Sequence, residues 1–286
     1  MTTTITPPVT TPPPSTVVEA PVNKPRKHWA SRLLFGYTWL IIAWLCLPIA
    51  VMILFGFNDT KGRYNQRWDG FTTKWWTRLG EYPELTKALE VSLIVAVVTM
   101  VVAGALGTLI GLALGRYSFR GHGAMNFLMF ATISSPELVM GASLLSFFVS
   151  DGVGLGIITI VIAHIMFSIS FVAVVVRARV LTLDRYAEEA ARDLGATPWT
   201  TFWLVTFPMI FPAVLSGGLL AFALSIDDFV ITNFTSGTVV TFPLWIWGVT
   251  RVGIPPQVNI MGTLIFLVGL LIAVASAVST GRRAKR

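Results

Sequence analysis

The sequence predicts an all-α membrane protein with six transmembrane helices, and three observations support this prediction. Hydrophobic residues make up 54% of the chain and charged residues only 12%, while the mean hydropathy of +0.73 is far above that of soluble domains. The apolar residues form six runs, each close to the roughly 20 residues that a helix needs to cross about 30 Å of hydrocarbon. A polar, charged segment lies between the fourth and fifth runs.

The predicted spans, in chain order, are 33–57, 91–114, 127–149, 155–176, 209–231 and 260–280. Arginines and lysines cluster before the first span, between the second and third, between the fourth and fifth, and after the last. Because basic residues near span ends favour the cytoplasm, both termini and the polar segment 177–208 are predicted to be cytoplasmic. Membrane topology explains the net charge of +7 without nucleic-acid binding.

The parts before the second span are polar or aromatic. Residues 1–28 are rich in threonine and proline and are predicted to form a disordered cytoplasmic tail, which leaves 29–286 as the transmembrane domain. The first loop, 58–90, mixes tryptophans with charges. It is either an aromatic belt at the membrane interface or a docking surface for an extracytoplasmic partner.

The second and third spans differ in character. Glycines recur in the second span at three- and four-residue spacing, which predicts close packing of a neighbouring helix. The third span is interrupted at Pro136, which weakens the helical hydrogen-bond ladder. Glu137 would lie about ten residues, or roughly 15 Å, inside the membrane. An acid at that depth indicates a wet cavity or a partner, and the alternative is a protonated or serine-bonded glutamate at a subunit seam.

The fourth and fifth spans also contain ionisable residues. His164 stands alone in the fourth span and is interpreted as a packing residue. The fifth span ends with Asp227 and Asp228, which point about 100° apart, so that only one of them can face a given cavity. The alternative for this pair is a helix-end cap in interfacial water.

Acids without lysine or arginine inside the apolar runs favour a cationic solute, to which aromatic faces would add cation–π attraction. The candidate substrate-pathway residues are Glu137, Phe222, Asp227, Asp228, Phe229 and Trp245.

The polar segment 177–208 predicts a short surface helix over Asp184–Leu194. Asp184 is suited to cap its start, Glu188 and Arg192 have i,i+4 spacing, and Gly195 suits the left-handed position after its end. The small alanines leave a low face that suits docking into a groove on a partner, and the alternative is an ordinary solvated connecting helix.

The same segment resembles the EAA loop of ABC-importer permeases. Glu189-Ala190-Ala191 is followed at the family's spacing by Gly195, by Val205 where isoleucine is usual, and by Phe207-Pro208 where Leu-Pro is usual. The resemblance implies the type I importer fold, in which this helix couples the permease to a cytoplasmic ATPase. The coupling residues implied are Glu188, Glu189, Ala190, Ala191, Asp193 and Gly195.

Residues of about 125–272 further resemble the spermidine/putrescine permeases, through SSPELVMGASLL, LDRYAEEAARDLGA, FALSIDDFVITNFTSG and PLWIWGVTRVGIPPQVN. This resemblance implies polyamine uptake across a bacterial inner membrane. It also implies a second permease subunit as heterodimer partner, two copies of an ABC ATPase and an extracytoplasmic substrate-binding protein.

No phosphate-binding GxxxxGK[ST] motif and no catalytic or metal-ligand spacing appears in the sequence. The chain is therefore not expected to be an enzyme or to hold a cofactor, and ATP and magnesium would bind to the partner ATPase. Two alternatives are open: an ABC permease for another cationic amine, ferric iron or a sugar, and a stand-alone secondary transporter.

Overall fold

The computed structural model describes residues 28–62 and 65–283, with backbone alone for residues 28, 30, 272, 273 and 275–283. The predicted disordered tail, 1–28, lies outside the described residues except for His28, which is the first residue of α1. The described chain is helical apart from its turns and loops and one isolated bridge between Asn58 and Phe71. The helices are α1 His28–Phe55, α2 Pro83–Arg116, α3 His122–Ser134, α4 Glu137–Ser150, α5 Ile157–Leu181, α6 Tyr186–Asp193, α7 Pro198–Thr201, α8 Phe207–Asp227, α9 Val230–Thr235, α10 Phe242–Val249 and α11 Pro256–Arg283.

The chain divides into two units, Met1–Val51 and Met52–Arg286. The described part of the first unit is the greater part of α1, whose apolar run Ser31–Phe55 has a mean hydropathy of 2.5. The second unit contains all the other helices and every site discussed below.

Four helical stretches within the described residues are long and apolar enough to cross a membrane. They are Ser31–Phe55, Pro83–Arg116, Ile157–Leu181 and Pro198–Asp227. The α3–α4 pair passes the same test as a bent unit, and α11 is apolar over Pro256–Leu271. The predicted all-α class is confirmed, and each predicted span overlaps one of these stretches. The first and fifth predicted spans, 33–57 and 209–231, run past the ends of their helices at Phe55 and Asp227.

The third and fifth predicted spans have different shapes from those expected. The third is divided at Ser135-Pro136, where α3 and α4 meet at 106°, because Ser135 and Pro136 are extended and proline cannot continue the hydrogen-bond ladder. The helix of the fifth begins earlier than 209, at Pro198. A π-helical turn, Phe202–Thr206, joins α7 to α8, and Pro208 lies in the first turn of α8, where its missing N–H is tolerated.

Close packing of α2 against α5 forms the centre of the second unit. The glycines of α2 allow it: a Cβ at Gly107 would lie 2.6 Å from Val172 Cβ, and one at Gly115 would lie 2.6 Å from Val180 Cγ1. The two valines belong to a buried cluster that also includes Ala103, Val176, Leu183, Ile210 and Ala221. The predicted packing role of the glycine stripe is confirmed for these positions.

The same pairs show that α2 and α5 run parallel, since residue numbers rise together from Gly107 beside Val172 to Gly115 beside Val180. The starts of both helices also meet, because Glu84 and Ile157 line one cavity. Because α2 and α5 run in the same direction, the chain between them must return along the length of the bundle. The bent α3–α4 pair is the helical part of that return.

Replacing Gly111 by alanine is expected to destabilise the protein, because a Cβ there would lie 2.8 Å from the backbone oxygen of Ala173, which cannot turn aside. Overpacking of this kind costs about 1–3 kcal/mol. Thermal unfolding in detergent, followed by size-exclusion chromatography, measures the loss. Gly104→Ala is the matched control, since its Cβ would meet nothing within 4 Å and alanine is the better helix former. Equal stability of the two variants would contradict the packing argument.

Candidate functional site

A cavity of about 430 Å³ lies where α8, α10 and α11 meet. Asp227 is the only ionisable residue among the described residues on its wall. The rest of the wall is apolar or aromatic apart from one threonine, and consists of Ile226, Phe229, Phe242, Pro243, Ile246, Trp247, Thr250, Gly262 and Ile265. One carboxylate on an apolar aromatic wall suits a ligand that carries a cationic group on a hydrocarbon chain.

Two aromatic rings stand beside the carboxylate-bearing residue. The rings of Phe229 and Trp247 lie 5.2 Å apart between centroids at an interplanar angle of 47°. Aromatic faces attract ammonium groups, most strongly where water is excluded. The wall therefore combines one carboxyl group with two ring surfaces.

The neighbouring acid, Asp228, has a different environment. Its Oδ2 accepts hydrogen bonds from the backbone N–H of Thr232 at 2.8 Å and from the Thr232 hydroxyl at 2.8 Å. Its Oδ1 accepts a longer bond of 3.3 Å from the N–H of Ile231. Asp228 thus caps the start of α9. The helix-end cap considered from the sequence is what the structure shows, although the carboxylate is only 5% exposed and so does not lie in open interfacial water.

His164 of α5 completes this buried cluster. Its Nε2 lies 3.2 Å from Asp228 Oδ2 and 2.9 Å from the Thr232 hydroxyl, and its Nδ1 lies 2.7 Å from the Ser225 hydroxyl. The histidine side chain is 3% exposed. Sequence reasoning interpreted His164 as a satisfied packing residue, which agrees with a buried ring that is hydrogen-bonded on both nitrogens, but it did not identify the partners. An ionisable residue within an apolar helix was the available signal, and its partners lie 61 to 68 residues further along the chain.

The two adjacent aspartates therefore have separate environments. Asp228 is turned toward α5 and α9, while Asp227 lies on the cavity wall. This division follows the expectation that neighbouring residues at a helix end cannot face the same space. A substrate contact by Asp228 stays a prediction, and its engagement by His164 and Thr232 argues against one.

The remaining candidate residues are distributed around this region. Glu137 is exposed in the first turn of α4, and it is close enough to Asp227 and Asp228 for Coulombic interaction with both. The fold thus brings Glu137 near two adjacent aspartates that are far from it in sequence. Phe222 is half-buried on α8. Trp245 lies on α10 but borders two other cavities, beside Glu84 of α2.

The EAA-like segment folds as a short exposed helix. α6 begins at Tyr186, with Arg185 in the N-cap position predicted for Asp184. Asp184 Oδ1 still accepts a 3.0 Å bond from the N–H of Tyr186, and the helix ends in a Schellman motif. In that motif Ala196 N donates to Ala191 O at 3.0 Å, and Gly195 N donates to Arg192 O at 2.9 Å. Gly195 has φ +86°, which confirms the predicted left-handed position. The coupling candidates Glu189, Ala190, Asp193 and Gly195 are exposed, and Ala191 is half-buried.

Glu188 departs from the expected arrangement. Its Oε1 accepts hydrogen bonds from Arg116 Nη2 at 2.7 Å and from the Thr206 hydroxyl at 2.9 Å, in place of the expected i,i+4 pair with Arg192. This carboxylate is turned toward the chain's own helices, so a direct contact with an ATPase is not favoured for Glu188. Sequence reasoning used Arg116 only as a topology charge and gave Thr206 no role.

Comparison with known proteins shows which family this chain belongs to. Residues 107–286 match the model of the family described as "Binding-protein-dependent transport system inner membrane component". The chain belongs to this family. It is 37% identical over 242 residues to the spermidine/putrescine transport system permease protein PotC of Escherichia coli (strain K12), covering 84% of this chain and 91% of that protein. It is 38% identical over 241 residues to the putrescine transport system permease protein PotI of the same strain, covering 82% of this chain and 83% of that protein.

Crystal structures of ABC transporters share the fold of this family member. A chain of a bacterial ABC transporter involved in import of the acidic polysaccharide alginate matches with a TM-score of 0.68 at 14% identity, over 90% of this chain and 99% of that one. A chain of an amino acid ABC transporter matches with a TM-score of 0.56 at 17% identity, over 74% of this chain and 100% of that one. The protein is a membrane component of a transport system and not an enzyme.

Asp228→Ala is expected to destabilise this permease by about 3 kcal/mol, because it leaves His164 and the start of α9 without their buried partner. Loss of thermal stability in detergent is the measurement. Asp227→Ala serves as the control, since Asp227 lies on the cavity wall and its removal is expected to change stability by less than about 1 kcal/mol. A greater loss from Asp227→Ala than from Asp228→Ala would contradict the assignment of the two acids.

Proposed function

We propose that this chain is a permease subunit of an ABC importer that takes up polyamines, with ATP hydrolysed by a separate subunit. The observation that carries the proposal is the similarity to the spermidine/putrescine and putrescine permeases, at 37% and 38% identity over more than four fifths of each chain. An alignment of this length includes Glu137, Asp227 and Asp228, since it leaves out only a small part of this chain.

The cavity at Asp227 and the nearby Glu137 support a polyamine as the cargo. A polyamine is a hydrocarbon chain with ammonium groups, and the cavity at Asp227 offers an apolar wall, two aromatic rings and one carboxylate. Glu137 is a second exposed acid, and it is close enough to Asp227 for Coulombic interaction. We assign the substrate path to Glu137, Asp227 and Phe229, with Phe222 and Trp245 as further candidates along it.

Six crossings are consistent with the helices. α1, α2, the α3–α4 pair, α5, the stretch Pro198–Asp227 and α11 would each cross once. α11 has 28 residues, or about 42 Å of helix at 1.5 Å per residue. The parallel arrangement of α2 and α5 supports a single crossing between them, made by the α3–α4 pair. With six crossings both termini and α6 lie on one side, which the basic residues assign to the cytoplasm.

α6 is proposed as the coupling helix. Its outer surface is exposed, and Leu194 at its end is 90% exposed. This apolar side chain is accessible to a partner, and apolar side chains form the buried centre of protein interfaces. The complex would contain a second permease subunit, two copies of an ABC ATPase that binds ATP and magnesium, and an extracytoplasmic binding protein. Closure of the ATPase dimer would move α6 and convert the permease pair between inward- and outward-facing states.

Uptake of radiolabelled putrescine and spermidine, by vesicles containing the full complex with ATP inside, tests the cargo. We expect both to accumulate, with choline and maltose as controls that do not. Asp227→Asn is expected to weaken uptake about tenfold, since a charge-assisted contact to an ammonium group contributes about 1.5–3 kcal/mol. Glu137→Gln is expected to have a smaller effect, because Glu137 is not on the cavity wall.

Asp151→Asn is the matched control for both variants, since it removes an exposed acid at the far end of α4. Wild-type vesicles that accumulate maltose or no polyamine would overturn the proposed cargo. Wild-type uptake that Asp227→Asn leaves unchanged would overturn the role of the cavity alone.

Leu194→Asp is expected to weaken binding of the ATPase by about 30-fold, because it places a charge at the centre of an apolar docking contact worth about 2 kcal/mol. Co-purification of the ATPase with the permease pair is the measurement. Tyr117→Asp is the comparison, since Tyr117 is 69% exposed in the turn after α2 and outside α6. If the two variants retained the ATPase equally, α6 would not be the docking surface.

A further inference from the structure

One carboxylate connects three separate parts of the cytoplasmic end of this permease. Glu188 lies on α6, Arg116 is the last residue of α2, and Thr206 ends the π-helical turn before α8. Glu188 Oε1 lies 2.7 Å from Arg116 Nη2 and 2.9 Å from Thr206 Oγ1. We call these three residues the α6 anchor.

The α6 anchor is largely withdrawn from solvent. The side chains of Arg116 and Glu188 are 11% and 18% exposed, and the hydroxyl-bearing Thr206 is buried at 7%. Arg116 Nε is also buried, and it has no hydrogen-bond partner in the part of the chain that the structure describes. The guanidinium therefore depends on Glu188 for its neutralisation. Removing either charge would leave the other partly buried and unpaired.

Both partners of Glu188 belong to rigidly packed helices. Gly115, next to Arg116, lies against Val180 so closely that a Cβ would come within 2.6 Å of the valine Cγ1. The helix that follows Thr206 is packed in the same way, since a Cβ at Gly217 would lie 3.1 Å from Val172. A displacement of α6 that preserves the anchor must therefore move the ends of α2 and α8 as well.

Within residues 28–62 and 65–283, the outer face of α6 has no comparable attachment. Apart from Glu188 and the half-buried Ala187 and Ala191, the residues of α6 are exposed. The hydrogen bonds of the α6 anchor also fix the orientation of α6, because a carboxylate oxygen held by two donors is constrained in direction as well as in distance. An apolar contact in its place would allow α6 to slide.

We propose that Glu188 is a positioning residue that transmits motion of α6 to α2 and α8, and that the α6 anchor is the path by which ATP hydrolysis is coupled to transport. This inference rests on the proposed function and adds to it the residues that carry the coupling. Glu188 contacts neither ATPase nor substrate in this role. It acts through Arg116 and Thr206.

The test uses the full complex in vesicles, with uptake and ATP hydrolysis measured together. Glu188→Gln and Arg116→Gln are each expected to lower polyamine uptake at least tenfold while the ATPase still co-purifies, so that the ATP hydrolysed per polyamine rises by a similar factor. Thr206→Val is expected to raise that ratio about threefold, and Thr206→Ser is expected to restore it. The charge-exchanged double variant, Arg116→Glu with Glu188→Arg, is expected to recover most of the coupling.

Arg120→Gln is the matched control, since Arg120 is exposed four residues beyond Arg116, and its coupling ratio is expected to be that of the wild type. Wild-type ratios in Glu188→Gln and Arg116→Gln would overturn the proposal. If those two variants fail to assemble, Thr206→Val decides, and a wild-type ratio there would likewise overturn it. A wild-type complex that takes up no polyamine would refute the cargo but not the anchor. The anchor would then be tested by ATP hydrolysis, which in Glu188→Gln and Arg116→Gln is expected to lose its dependence on the binding protein. Dependence equal to that of the wild type would overturn the anchor.

Discussion

Parallel packing of α2 on α5 is the constraint on which both sites depend. Glycine at positions 107, 111 and 115 allows the helices to approach until backbone and valine side chains are in contact. Such an interface resists change, because a close-packed core is displaced as a unit more readily than it is deformed. Each helix then supplies one polar side chain to a site at its own end of the bundle.

At one end, α5 presents His164 to the break between α8 and α9. Asp228 could not be buried there unpaired, since an isolated carboxylate in an apolar environment is strongly disfavoured. At the other end, α2 presents Arg116 to α6. The two ends share α8 as well, which begins after Thr206 and ends at Asp227. One rigid pair of helices thereby connects α6 to the cavity wall that carries Asp227.

The sequence predicts the class, the helical stretches and the start and end of α6, because apolar length, capping residues and glycine preferences are local properties. The left-handed Gly195 and the break at Pro136 follow from the same rules. The sites were less predictable. Arg116 and Glu188 are 72 residues apart and His164 and Asp228 are 64 apart in number, so no spacing pattern joins them. The i,i+4 rule predicted Arg192 as the partner of Glu188, but Glu188 pairs instead with the largely buried Arg116.

The adjacent aspartates show why residue type alone does not assign a site. Both acids end the same apolar run, and composition treats them alike. The fold distinguishes them through the extended backbone of Asp228, with φ −64° and ψ 120°, which stops α8 and turns that carboxylate toward α5 and the start of α9. Asp227, still within the last turn of α8, remains on the cavity wall. Because the protein's own donors satisfy Asp228, Asp227 is the acid that we propose for contact with a cationic substrate.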